Sequence, residues 1–417
     1  MKKSLLPLLL LSFLLFSCGE ETCPPLKTDP DKVEVKIAVL VSETGPVSEI
    51  GKTTRAGFEL AVDDMKAMYA GISQKVDFVY EIVDDGAEAS SVLTKVKQLH
   101  EEKGYNVIFG INTSSAVKAL KQYADQEDIL LVSNSSTSSE LAVVNDNIYR
   151  FVPSDNLMAK ASSKLTKYHE LDCVIPVSRD DVANLALTNS LGEYLDTRGI
   201  NHPSTVKYDL SKESAASAVE KIRSAIVSAL KTYQSNKIGV FLASFEEYIQ
   251  LFEVFTQEDL FKTVKWYGGD GTYTGLLFAN PIALQFAKDV NFCVVTLGNN
   301  VYNSTEYNAL SQRIKTKTNG LVNPYGITAY DGAVCLIKSM VTSAKNQTTA
   351  NIKSELVAQS EKYYGISGWC KLNAAGDRSE GFYDFYEIKT EGTNNAWSVF
   401  YSYESQYDVL FDTGVIK

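Results

Sequence analysis

Val35-Lys-Ile-Ala-Val-Leu-Val41, an apolar recurrence at Phe58, Ala61, Val62, Met65 and Met68, and then Phe78-Val-Tyr-Glu-Ile-Val83 decide the fold class of this chain. The first run is dense in β-branched residues, as a strand buried on both faces requires. The recurrence that follows, at i, i+3, i+4, i+7 and i+10, is the stripe of an amphipathic helix. Working outward, Ala89, Val92, Leu93, Val96 and Leu99 give a second stripe ended by Gly104. Asn106–Ile111 reads as a strand, 115–127 as a helix and Ile129–Val132 as a strand. The order βαβαβαβ predicts a parallel, doubly wound sheet with right-handed crossovers.

Beyond Asp155 the rhythm restarts. Helix 157–170, strand Cys173–Val177, helix 181–198, strand 204–208 and a helix from Ser214 to Tyr233 follow one another. Strand Ile238–Ala243, helix 246–257 and strand Val264–Tyr267 complete a second α/β unit of similar size. The end of the chain differs. After a helix near Ile327–Ser343, short strands at Gly368–Leu372, Phe382–Ile388 and Trp397–Tyr401 are separated by Gly-Asp and Gly-Thr turns. A β tail of this kind is expected to return and complete an earlier sheet.

Composition narrows the function. The 417 residues are 45% hydrophobic and 22% charged, an ordinary globular balance with room for two or three cores. The formal net charge of −11 opposes nucleic-acid binding, which needs a basic field. The 3 histidines, His100, His169 and His202, have no metal-ligand spacing. There is no Gly-x-Ser-x-Gly elbow and no phosphate loop, so neither an enzyme nor a cofactor is expected.

The N-terminus predicts export. Lys2 and Lys3 precede a greasy segment from Leu5 to Phe16 and the small residue Ser17. As a helix that segment would rise about 18 Å, well short of the ~30 Å hydrocarbon core, so it reads as a cleaved signal over 1–17 rather than an anchor. Leu15-Phe-Ser-Cys18 resembles a bacterial lipoprotein processing site. It implies lipidation of Cys18 and a polar tether over 18–33. The remaining cysteines, Cys23, Cys173, Cys293, Cys335 and Cys370, are too few and too scattered for a disulfide framework. Buried free thiols are expected, with a single bridge left open.

Small molecules bind open α/β sheets beyond the carboxyl ends of the strands. Three loops there carry suitable chemistry: Asn112-Thr-Ser-Ser115, Ser133-Asn-Ser-Ser-Thr-Ser-Ser139 and Gly268-Gly-Asp-Gly-Thr-Tyr273. The first two join hydroxyls to helix N-termini, which suits a carboxylate. The third offers Asp270 to a cation. Taken singly, each is also an ordinary cap or turn; their shared placement after strand ends raises the binding reading. Tyr273, Tyr302, Tyr325 and Tyr330 are candidate cleft aromatics, Tyr330 reading first as core.

The chain resembles the branched-chain amino acid binding proteins of ABC transporters. The resemblance rests on Lys36-Ile-Ala-Val-Leu-Val-Ser-Glu-Thr-Gly-Pro-Val47, Gly51 and Arg55-Ala-Gly-Phe-Glu-Leu-Ala-Val-Asp-Asp64. It continues through Asp84-Asp-Gly86, Ile108-Phe-Gly110, Leu131-Val-Ser-Asn-Ser-Ser-Thr-Ser-Ser-Glu-Leu141 and Tyr149-Arg-Phe-Val-Pro-Ser-Asp155. Ala329-Tyr-Asp-Gly-Ala333 and Gly368-Trp-Cys-Lys-Leu-Asn-Ala-Ala-Gly-Asp377 extend it to the tail. The fold implied is two Rossmann-like lobes joined by three hinge crossings, a type I periplasmic binding protein. Lobe I would be 34–154 plus 297–372, and lobe II 155–296 plus 373–417.

By the same resemblance, Ser114 would hold a ligand carboxylate, and Ser135 (through its backbone) and Thr137 would meet the head group. Asp270 would answer the ammonium, and Phe245 and Glu246 would lie where a tyrosine covers the site. Val182 stands where the family usually carries a tyrosine, so this chain lacks that phenol. The expected function is a monomeric, lipid-anchored, extracytoplasmic receptor. It would pass an amino acid or related small carboxylate or amide to an ABC permease. A ligand-sensing module for a membrane receptor is the alternative, which neighbouring genes would separate.

Overall fold

In the computed structural model, which describes residues 32–298, 304–392 and 394–413, the chain starts on β1 (Val33–Val41). The signal segment, Cys18, Cys23 and nearly all of the tether lie outside the described residues, as does Tyr302. After β1 come α1 (Ser48–Gly71), β2 (Val76–Asp84), α2 (Ala89–Lys97), β3 (Val107–Gly110), α3 (Ser114–Gln126), β4 (Leu130–Ser133) and β5 (Ile148–Pro153). These strands form a parallel sheet in the order β2-β1-β3-β4-β5. The β1 run that reads as doubly buried is so: Val35 to Val41 is buried at every position but Lys36. Each large apolar side chain sealed in this way contributes about 1.5–3 kcal/mol.

A second unit repeats the plan. It comprises α4 (Asp155–Tyr168), β6 (Cys173–Arg179), α5 (Val182–Thr197), β7 (Val206–Tyr208), α6 (Ala215–Ala229), β8 (Ile238–Ala243), α7 (Tyr248–Phe255), β9 (Lys265–Gly268), α8 (Pro281–Asp289) and β10 (Cys293–Leu297). Its parallel strands run in the order β7-β6-β8-β9-β10, the doubly wound arrangement of the first sheet. Phe252, Phe255, Phe261, Trp266 and Phe286 pack in its core with tilted and edge-to-face ring contacts.

The chain then returns to the first sheet. α9 (Ser304–Lys317), α10 (Pro324–Thr342) and α11 (Thr349–Ser360) precede the hairpin β11 (Tyr364–Gly365) and β12 (Gly368–Trp369). Pro324 at the first turn and the Asn323 side chain, which accepts from Tyr325 N–H, start α10. α1 and α10 cross at Gly57 and Gly326, where a Cβ on Gly57 would lie 2.1 Å from the Gly326 carbonyl oxygen. Only glycine permits that approach.

β13 (Asp377–Arg378) adds to β5 at the edge of the first sheet. The third passage between sheets therefore falls after Arg378. β14 (Phe382–Glu391), β15 (Asn394–Glu404) and β16 (Val409–Asp412) then extend the second sheet antiparallel from β10, the return expected of a β tail.

Several elements escape the hydrophobic pattern. β5 is one, because Arg150 sits at its centre, wholly buried and paired with Asp377. α8, α9, α11 and β16 are others, being short or largely polar on the surface. The strand expected over Gly368–Leu372 is only Gly368–Trp369, and the helix expected to reach Tyr233 ends at Ala229. Cys173, Cys293, Cys335 and Cys370 are buried free thiols. Among the described residues, no helix is long and apolar enough to cross a membrane.

Candidate functional site

The carboxyl ends of the two sheets face each other. One narrow cavity lies between them, lined by Asn112, Thr113, Ser114, Ser135 and Thr137 from the first unit and by Ala183, Asn184, Leu187, Phe245 and Asp270 from the second. Ile50, Asp155 and Tyr325 complete it. The walls leave about 20 Å³ of water-accessible space, room for roughly one water. A solute of amino-acid size enters only if the walls part. A larger hollow of about 180 Å³ opens at Tyr364, Trp369 and Tyr407, away from the strand-end loops.

On the first wall, hydrogen bonding fixes what each hydroxyl can offer. The Thr113 side chain caps α3 by accepting from Ala116 N–H, and Ser114 begins the helix. The Ser114 hydroxyl oxygen accepts from the Ser136 hydroxyl at 3.0 Å and from Ser138 N–H at 3.2 Å. With two bonds accepted, its own proton is left to donate. The Ser135 hydroxyl is consumed locally: it accepts from the Asn112 amide at 3.1 Å and donates to the Asn112 carbonyl at 3.1 Å. Asn134 ties the loop to α10, its amide donating to the Tyr325 carbonyl at 2.9 Å. Arg150 braces the loop from below, donating to the Ser136 and Ser138 carbonyls at 3.1 and 2.7 Å.

The second wall is acidic. Asp181 caps α5 by accepting from Ala183 and Asn184 N–H at 2.9 and 3.0 Å. Asp270, half-buried at the start of a short helical turn after β9, accepts from the Tyr325 hydroxyl across the seam. Its carboxyl is held above the usual range, chiefly by burial. Asp155, the first residue of α4, is 1% exposed, and its Oδ2 has no hydrogen-bond partner. Burial first, and then the Asp270 charge, push the Asp155 carboxyl up to about 8. Ile50, Leu187 and Phe245 supply the apolar part of the lining. Among the described residues, no group of three acidic, His or Cys side chains is placed to hold a metal ion.

The structure thus gathers Ser114, Ser135, Thr137, Asp270 and Phe245 into one cavity. Val182 and Glu246 lie outside it. The Val182 carbonyl accepts from the Ser138 hydroxyl at 3.4 Å, and the next turn of α5 provides the wall. Glu246 instead binds the start of α1. Asp155 and Asn184 are the polar residues that the pattern does not single out. An acid at a helix start reads as ordinary dipole compensation, so its unmet oxygen is visible only in three dimensions.

Two doubly wound units sharing one polar seam define a bilobal solute-binding protein. Residues 34–393 match the family model described as periplasmic binding protein, and the chain belongs to that family. An uncharacterized protein of Methanocaldococcus jannaschii is 25% identical over 380 residues, 86% of this chain and 88% of that one. The leucine-binding protein LivK of Thermotoga maritima superposes with a TM-score of 0.69 at 14% identity, covering 91% of this chain and 99% of that one. A solute-binding protein of an ABC transporter from R. palustris, in complex with 4-hydroxybenzoate, gives 0.74 at 14% identity over 92% and 99%. The two superpositions establish the type I fold.

Proposed function

We propose that this protein is the lipid-anchored, extracytoplasmic solute receptor of an ABC transporter. It captures an amino acid with an apolar side chain by closure of its two lobes and hands it to the permease. The observation that carries this reading is the polarity of the cavity at the strand-end loops. Donors converge on one side of it, from Thr113, Ser114 and the positive end of α3. Two carboxyls with raised pKa complete the lining, Asp270 from the second unit and Asp155, whose N–H donates to the Thr137 carbonyl. Such a cavity is matched to a zwitterion: the carboxylate takes the Ser114 proton and the α3 amides, and the ammonium lies against Asp155 and Asp270. Ile50, Leu187 and Phe245 remain for the side chain.

Relatives of this fold are described with leucine and with 4-hydroxybenzoate, and both solutes carry a carboxylate. The acidic wall favours the one that also carries an ammonium. Closure follows from contacts made to both lobes at once, which stabilise the shut state.

A thermal-shift screen of the purified protein against amino acids, short carboxylates, benzoates and amides tests the reading. A ligand at 100 times its dissociation constant adds ~2.7 kcal/mol of stability. Aliphatic amino acids are expected to raise the melting temperature. A response confined to benzoates or amides would reject the zwitterion assignment.

A further inference from the structure

α1 begins without a cap of its own. Val47 occupies the N-cap position, and its side chain has no oxygen to accept from the first-turn N–H groups. The other lobe supplies one. Glu49 N–H donates to Glu246 Oε1 at 3.2 Å, and the Ser48 hydroxyl donates to Oε2 at 3.4 Å. Glu246 N–H donates in return to the Pro46 carbonyl at 3.3 Å. Oε1 therefore takes the bond that an N-cap side chain normally makes, on the helix end that favours negative charge.

The exchange is reciprocal. Glu49 Oε2 accepts from the Thr274 hydroxyl at 2.8 Å and from Gly275 N–H at 3.0 Å, both in the second lobe. None of these groups lines the seam cavity.

We propose that Glu246 and Glu49 are positioning residues for solute capture, a helix cap supplied by one lobe to the other and its counterpart, which hold the lobes together and so set the closed fraction. This rests on the reading that solute is held by closure. Parting the lobes strips α1 of its cap and breaks the bonds from Thr274 and Gly275 to Glu49. The closed state therefore carries a stabilisation independent of solute, and apparent affinity scales with the closed fraction.

A pH dependence follows. Burial first, then the Glu49 charge, push the Glu246 carboxyl up to about 7, and burial also raises Glu49. Lys52 on α1 opposes both shifts, and the Tyr248 and Tyr273 phenols face the pair from the second lobe. In the open state the carboxyls return to the ordinary range, so closing takes up a proton. The preference for closure is fullest at acid pH and is lost as pH rises through about 7. The closed-to-open ratio should fall roughly tenfold or more between about pH 5 and pH 8. A protonated Glu246 still accepts through its carbonyl oxygen, so the cap survives the titration.

Hydrogen exchange on the full chain without solute reads this directly, because exchange of the first α1 amides tracks their opening. After correction for intrinsic rates, Glu246→Ala should raise opening at residues 49–51 at least tenfold, while α10 core amides stay unchanged. Glu246→Gln, which keeps the acceptor, should restore protection and flatten the pH profile. Wild-type protection in Glu246→Ala, or a wild-type pH profile in Glu246→Gln, would overturn the proposal. Neither readout needs a solute, so a failed ligand screen and a failed latch are separate results.

Discussion

Asp155 and Asp270 share a cavity too small for two uncompensated charges, and the site meets this by protonation. Asp155, held at about 8, is mostly neutral near pH 7. An ammonium placed between the two would let both ionise, so binding should release a proton. Calorimetry near pH 7 in buffers of differing ionisation enthalpy is expected to show up to one proton released per solute. Asp155→Asn should abolish that release. Without solute, the raised pKa also has a cost to stability. Between the ordinary carboxylate value and about 8 the folded protein holds a proton that the unfolded chain does not. Stability is therefore fullest at acid pH and falls by up to about 1.4 kcal/mol per pH unit until about pH 8. Asp155→Asn should flatten this slope in urea titrations at pH 5 and 8. Asp270→Ala leaves Asp155 alone to answer the ammonium and should weaken binding about a hundredfold, or ~3 kcal/mol, by titration. At this scale the placement of Ser114, Thr137 and Asp270 at one cavity was legible, because each residue's type and its place after a strand agreed. The sequence was silent on Asp155, whose unmet oxygen is a fact of packing, and it gave Glu246 a place over the solute where the structure gives it the start of α1, 197 residues away.

Among elements, those with a clean period were readable from the chain alone. β1, β2 and β8 show dense apolar runs, and α1 shows its stripe through Phe58, Ala61, Val62 and Met65, all of them buried, while Met68 at the end of that stripe is exposed. β5 was not readable, because a buried arginine looks like surface until its partner is known. Arg150 donates to Asp377 through Nε and Nη2 at 2.5 and 2.7 Å, joining β5 to β13 across 227 residues. Its remaining donors hold the Ser136 and Ser138 carbonyls, so one guanidinium braces both the sheet edge and the binding loop. Removing the carboxylate strands a buried cation. Asp377→Ala should cost ~3–5 kcal/mol in urea unfolding. It should also loosen the loop that presents Ser135 and Thr137, lowering affinity in the same variant. A loss under 1 kcal/mol would show that Arg150 finds another partner.

For the whole molecule, the division into two similar units followed from the restart of the strand–helix rhythm beyond Asp155, and the β tail from its turns. The exact passage between sheets did not, because β13 is two residues long and is held by Arg150 rather than by any apolar pattern. The proposed delivery to a permease adds a demand that the two lobes alone do not meet, namely proximity to the membrane. Cys18 lies well ahead of β1, with a polar segment rich in Pro and Asp between them. Under the proposed lipidation, two or three acyl chains on Cys18 would give stable anchoring where a single chain gives only marginal, reversible binding. The full chain expressed in a bacterial host should therefore sediment with membranes and incorporate labelled fatty acid. Cys18→Ser should shift it to the soluble fraction without label. Solute affinity in that variant should stay within about twofold of wild type, since anchoring adds no contact at the seam. Membrane association that persists without Cys18 would instead place the anchor in an uncleaved N-terminal segment.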